Sequence, residues 1–172
     1  ALNGTTLDRY TGSAEAVVIP DGVTAIAHDA FADNRRITKV TIPWTVTEIG
    51  NSAFSGCSSL QAVTIPPSVK EIGDFAFDKC RSLTSVVLAD GLQFIGQYAF
   101  SSCASLRSIT VPASVRTVER EAFYDSNALT VRCVARSKPA AWADRWNGDC
   151  PVTWGVPAPA PLAKPAPAPV RY

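Results

Sequence analysis

The chain of 172 residues carries 16 basic and 15 acidic residues, a net charge of +1, and is 47% hydrophobic. That balance excludes broad electrostatic capture of nucleic acid or of an anionic membrane, and the apolar share excludes a chain too polar to fold. Apolar runs such as Val17-Val18-Ile19 stop after a few residues, whereas a membrane-spanning helix needs about 20, so no direct membrane insertion is expected.

Residues 1–13 precede a repetitive body and are expected to cap its front. From Ala14 onward, five segments align without a gap at a period of 23 residues: 14–36, 37–59, 60–82, 83–105 and 106–128. The fourth column reads Val17, Val40, Val63, Val86, Ile109, and the sixth reads Ile19, Ile42, Ile65, Leu88, Val111. These two alternate with polar residues, the period of a half-buried strand. Proline in the seventh column (Pro20, Pro43, Pro66, Pro112) lacks an N–H and ends that strand's pairing. Columns ten and thirteen turn the chain inward with Val23, Val46, Val69, Leu92, Val115 and then Ile26, Ile49, Ile72, Ile95, Val118. Glycine in column fourteen (Gly50, Gly73, Gly96) is expected to allow a tight or positive-φ turn, although Ala27 and Glu119 fill the column in the end repeats, so positive φ is not strictly required there. An Ala-Phe pair then re-enters the core, with Phe31, Phe54, Phe77, Phe100 and Phe123 in one column. One such coil cannot bury its apolar face alone. Stacked coils can, at about 4.8 Å per coil when the strands pair in parallel, and the phenylalanines then form an internal spine.

The pattern is carried most clearly by Leu60-Gln-Ala-Val-Thr-Ile-Pro, Ser68-Val-Lys-Glu-Ile-Gly and Ala76-Phe-Asp-Lys-Cys. It resembles the BspA-like leucine-rich repeats found in bacterial and protist surface proteins. The resemblance spans residues 14–128. It implies a β-rich leucine-rich-repeat solenoid, a right-handed coil with parallel β ladders, five 23-residue repeats and a cap at each end. It also implies that Leu7-Asp-Arg-Tyr-Thr-Gly forms a short strand ahead of the first repeat. The functional implication is protein binding by a secreted or cell-surface protein. The alternative is a structural subunit of a larger assembly, intracellular or organellar, with the tail docked on a neighbour.

Residues 129–155 are expected to close the rear end. Ser137 to Gly148 reads as a short helix, with Pro139 in its first turn and Gly148 as its stop. Trp142 and Trp146 then fall on one face and, with Trp154, lid the last coil. Residues 156–172 alternate proline with small residues and favour an extended polyproline II tail. The tail is expected to run away from the solenoid and contact another chain, anchored by Leu162, Arg171 and Tyr172.

Cys57, Cys80 and Cys103 share one repeat column and read as small buried hydrophobes, since no local Cys pair with histidines suggests a metal. Cys133 and Cys150 stand apart in the rear segment and are candidates for a disulfide. His28 is the single histidine, and no nucleophile–base set or phosphate loop is evident. No catalysis, cofactor or metal is expected. The informative deviations are outward aromatics. Column sixteen reads Asp29, Ser52, Phe75, Tyr98, Glu121, so Phe75 and Tyr98 should be neighbours on adjacent coils, with Phe94 of column twelve close by. Trp44 also points outward. The second candidate surface is the strand face, with Thr41, Thr64 and Val87 flanked by Arg107.

Overall fold

The computed structural model of the chain describes residues 2–166 and is a stack of about six coils, with no helix among the described residues. At the front, β1 (Leu2–Asn3) and β2 (Thr6–Leu7) form an antiparallel hairpin. Each of the five repeats contributes one strand from columns three to six and one from columns twelve and thirteen, and the rear end adds two more of the first kind. The first set is β3 (Ala16–Val18), β5 (Lys39–Thr41), β7 (Ala62–Ile65), β9 (Ser85–Leu88), β11 (Ser108–Val111), β13 (Thr130–Cys133) and β14 (Val152–Trp154). The second set is β4 (Ala25–Ile26), β6 (Glu48–Ile49), β8 (Glu71–Ile72), β10 (Phe94–Ile95) and β12 (Thr117–Val118).

The second set makes one ladder in the order β1-β2-β4-β6-β8-β10-β12, parallel from β2 onward. The first set divides into β3-β5-β7-β9 and β11-β13-β14. From β3 to β10 and in the β10–β12 pair, residues a full repeat apart are partners, as in Val63↔Val86 and Ile49↔Ile72, whereas the offset shortens at the front (Leu7↔Ile26) and at the rear (Ile109↔Val131, Val131↔Val152). The short strand expected at Leu7 is β2, which extends the long ladder by one half-coil.

Every apolar column faces inward. The five spine phenylalanines are each at most 1% exposed. Their rings stack almost parallel, with centroids 4.8 to 5.8 Å apart. Tyr10 continues the spine at the front, stacked 5.2 Å from Phe31. At the rear, Trp146 meets Phe123 edge-on at 6.0 Å. Trp142 and Trp146 are buried and, with Trp154, form one ring cluster over the last coil.

That lid forms without the expected helix: residues 129–151 are a sixth coil with shifted spacing. Pro139 and Trp142 make the same i to i+3 turn, at 3.1 Å, that Pro-x-x-Val makes in the coils at Pro20, Pro43, Pro66 and Pro112. Ala143 donates its N–H to Val118, and Glu121 donates to the carbonyl of Arg145, both at 2.9 Å. A helix would divert these backbone groups to partners four residues away and leave the fifth coil's turn unpaired. Residues 157–166 of the tail have no regular structure, and no hydrogen bond joins them to the other described residues. Among the three expected anchors, Leu162 is half-buried; Arg171 and Tyr172 lie outside the described residues.

Candidate binding surface on the turn face

Opposite the strands, each coil makes a compact turn through columns fifteen to twenty, and its amides pair along the solenoid axis. The column-eighteen N–H groups of Phe31, Phe54, Phe77 and Phe100 donate to the alanine carbonyl of the next coil at 2.7 to 2.8 Å. To aim their own amides the same way, columns sixteen and twenty adopt left-handed backbone. In column sixteen Asp29, Ser52, Phe75, Tyr98 and Glu121 have φ of 54 to 56°. In column twenty Asp33, Lys79, Ser102 and Asp125 lie at 53 to 58°, and Gly56 at 72°. The Phe75 amide accordingly reaches the Gln97 carbonyl at 2.8 Å. An Asx ladder supports the turn, with Asn51 Oδ1 accepting from the Asp74 amide and Asp74 Oδ1 from the Gln97 amide.

Of the two roles open to the column-fourteen glycines, the turn here is tight and not of positive φ. Gly50, Gly73 and Gly96 are not in the positive-φ set. In the three coils that carry glycine the reason is close approach: a Cβ on Gly50 would sit 2.8 Å from the backbone of Ala27 and His28 in the preceding coil, while Ala27 and Glu119 fill the column in the end coils.

The left-handed column makes Phe75 and Tyr98 unusual. Small polar residues tolerate this backbone, whereas bulky aromatics there are outliers costing about 1–3 kcal/mol each. The two rings stack at 5.0 Å, and Tyr98 meets Tyr124 edge-on at 5.8 Å. Phe75 is 39% and Tyr124 45% exposed. The result is a row of three aromatics across three coils. Tyr124 lies outside the column that holds Phe75 and Tyr98; column nineteen otherwise holds Ala32, Ser55, Asp78 and Ser101, so a lone tyrosine there is its signal in the sequence.

Beneath the row, Glu121 is buried, accepts a hydrogen bond from the Tyr98 hydroxyl, and lies 3.7 Å from Arg120 and 3.5 Å from Arg145. The bond to the Glu121 carboxylate pushes the Tyr98 phenol above its ordinary pKa. Substituting Phe75 by Asn, which accepts left-handed backbone, trades ring stacking for relief of strain. The thermal midpoint should therefore stay within about 3 °C of wild type, about 1 kcal/mol for a chain of this size. A larger fall would show that the exposed ring holds the fold together.

The remaining sequence candidates are dispersed. Phe94 is half-buried on β10, between Glu71 and Thr117, and makes no ring contact with Phe75 or Tyr98 among the described residues. It lines a shallow groove with Glu48, Glu71 and Asp74 instead. Trp44 is half-buried. Thr41, Thr64, Val87 and Arg107 are exposed on the strand side, where Val18, at 73%, is the most exposed large hydrophobic. No group of three or more metal-ligating side chains occurs among the described residues.

Cys133 and Cys150, the candidate bridge, are both free, buried thiols in this structure. Cys133 is a strand residue of β13, in register with Val111. Cys150 takes the cysteine column of the sixth coil. Its thiol donates to the Phe123 carbonyl at 3.3 Å, as Cys57, Cys80 and Cys103 donate to Phe31, Phe54 and Phe77 at 3.1 to 3.3 Å. Ser126 fills the column in the fifth coil and makes the same bond to Phe100 at 2.9 Å. The column therefore serves to satisfy a buried carbonyl in each turn.

The coil geometry recurs in known proteins. The chain is similar to a leucine-rich repeat protein of T. pallidum, at 40% identity and a TM-score of 0.72, over 74% of this chain and 62% of that one. It is also similar to leucine-rich repeat proteins of Bacteroides ovatus (24% identity, TM-score 0.67, 81% of this chain and 42% of that one) and Eubacterium ventriosum (21%, 0.72, 95% and 50%). The chain thus spans less than two thirds of the length of each of these structures. No curated protein matches it. The sequence profile of the BspA type leucine rich repeat region matches six copies within residues 9–130, and the chain belongs to that family.

Proposed function

We propose that the chain is a protein-interaction module of a secreted or cell-surface protein, and that it binds through the turn face at Phe75, Tyr98 and Tyr124. The observation that carries this reading is the row of three aromatics, two of them held in left-handed backbone. Strain of this kind is retained at sites where a side chain is needed for something other than folding. Exposed aromatics in contact with one another are the usual makings of an interface hot spot. Binding fits this fold better than catalysis because the coil interior is filled by packed side chains, which leaves surface rather than a deep cleft to work with. Family membership supports the placement at the cell surface. The strand side around Thr41, Thr64, Val87 and Arg107, the groove at Phe94, and Trp44 are secondary contact regions in this reading.

The test is affinity capture from the native source, comparing wild type with a variant carrying Phe75→Ser, Tyr98→Ser and Tyr124→Ser. The variant should keep its fold by circular dichroism and lose the captured partner by about tenfold or more in affinity. Undiminished capture would move the interface to the strand side.

A further inference from the structure

We propose that the turn-face row takes a proline-rich segment in polyproline II form, and that the segment is the Pro/Ala tail of a second copy of this chain. The inference rests on the reading of Phe75, Tyr98 and Tyr124 as a binding surface and names its occupant.

The tail has the chemistry that exposed aromatic rows recognise. Between Val156 and Tyr172 it reads Pro-Ala-Pro-Ala-Pro-Leu-Ala-Lys-Pro-Ala-Pro-Ala-Pro-Val-Arg. Such a sequence presets the extended form, so little entropy is lost on docking, and proline rings pack well on Tyr and Phe faces. Residues 157–166 are exposed except for Leu162, and their backbone makes no hydrogen bond within the described residues. Their carbonyls are therefore open to donors on a partner. The patch supplies one: among the described residues the Tyr124 hydroxyl makes no hydrogen bond, and Tyr124 is 45% exposed.

Charge agrees with the pairing. The tail carries Lys164 and Arg171 and no acid. At the two ends of the aromatic row stand Asp74, beside Phe75, and Asp125, beside Tyr124. Each uses its carboxylate only for neutral donors, Asp74 for the Gln97 amide and Asp125 for Ser102 and Asn127. Neither has a cationic partner among the described residues, in contrast to Glu121 and Asp78.

Geometry favours a second copy over the same one. The tail leaves the solenoid at Val156, whose amide is tied to the Cys133 carbonyl at the end of β13, on the strand side. The row lies on the turns across the coil. A polyproline segment is semi-rigid and extends about 3.1 Å per residue, which suits reaching outward more than wrapping back around its own coil. Reciprocal exchange of tails between two copies closes a two-fold dimer.

The experiment pairs two measurements on the full chain. Sedimentation velocity over a concentration series should show a monomer–dimer equilibrium, lost in the variant carrying Phe75→Ser, Tyr98→Ser and Tyr124→Ser. A fluorescently labelled peptide of residues 156–172 should bind the full chain saturably. Its affinity should fall about tenfold or more in the patch variant, and in a peptide with every proline replaced by alanine, but stay unchanged in a strand-side control, Val18→Ser. A peptide that fails to saturate at about 1 mM, the weak end of measurable affinities, would overturn the proposal. So would binding indifferent to the patch variant. Peptide binding by a chain that stays monomeric at all concentrations would overturn the second copy as the source. If the peptide fails while the patch variant still loses a captured partner, this inference falls and the binding reading stands. If neither responds to the patch variant, both fall.

Discussion

Replacing Phe77 by Ala should destabilise the chain by about 3–5 kcal/mol, whereas Phe75→Ala should change it by well under about 1 kcal/mol. The two residues are separated by Ala76 alone and carry the same ring, so the contrast isolates position. Phe77 is fully buried, with a stacked ring on either side at 5.1 and 5.2 Å. Its removal opens a cavity between the second and fourth coils that rigid ladders on both sides cannot collapse. In a solenoid each coil is held only by its neighbours, so a break in the middle also threatens cooperativity. Urea denaturation should therefore show a lower midpoint and, if the halves separate, a shallower slope as well. The thermal midpoint should fall by about 6–20 °C. Equal losses at positions 75 and 77 would mean that the spine is not the main source of stability.

The spine was legible because burial repeats at a fixed interval and each column holds the same kind of residue. The turn geometry was less so. Columns sixteen and twenty carry the left-handed backbone, yet they are filled by Asp, Ser, Phe, Tyr, Glu and Lys, a mixture without a common signature. The glycines drew attention to column fourteen instead, where the need is room for the preceding coil's backbone. The candidate site was half legible for the same reason. Phe75 and Tyr98 share a column, and their contact followed from the period, whereas Phe94 and Tyr124 come from other columns. Their placement depends on the path of the turn, which brings Tyr124 against Tyr98 and leaves Phe94 over Glu71. The rear coil was hidden by a shift in spacing. Its spacing is uneven: Val131 falls 22 residues after its partner Ile109, Pro139 falls 27 after Pro112, and Cys150 falls 24 after Ser126, so its columns leave the 23-residue register and read as a cap with a helix. The Trp residues there satisfied a helical spacing, but the inter-coil hydrogen bonds of Ala143 and Arg145 decided the backbone.

The chain should lose stability steeply above pH 9, and the cysteine column should be the main reason. Burial pushes the thiols of Cys57 and Cys103 from 9.0 up to about 12, and that of Cys80 well above its ordinary value. Below pH 9 these groups are protonated in both folded and unfolded chains, so they contribute no pH dependence. Above it the unfolded chain ionises them while the folded chain keeps them neutral. The unfolded state then binds fewer protons, and stability falls with rising pH until the folded values are reached near 12. Each thiol takes about 1 kcal/mol per pH unit in that window, and three together remove a few. Against a typical reserve of about 5–15 kcal/mol, this is enough to unfold the chain between roughly pH 10 and 12. The comparison that isolates the effect is a variant carrying Cys57→Ser, Cys80→Ser and Cys103→Ser. Serine does not titrate here, and Ser126 already shows that a hydroxyl in this column can serve the spine carbonyl, at 2.9 Å from Phe100. Cys133 and Cys150, whose thiols burial also raises, are common to both proteins and cancel in the difference. Denaturation midpoints measured from pH 7 to 11 should therefore fall steeply for wild type and more gently for the variant. Parallel curves would mean that the column's thiols are not held neutral by burial.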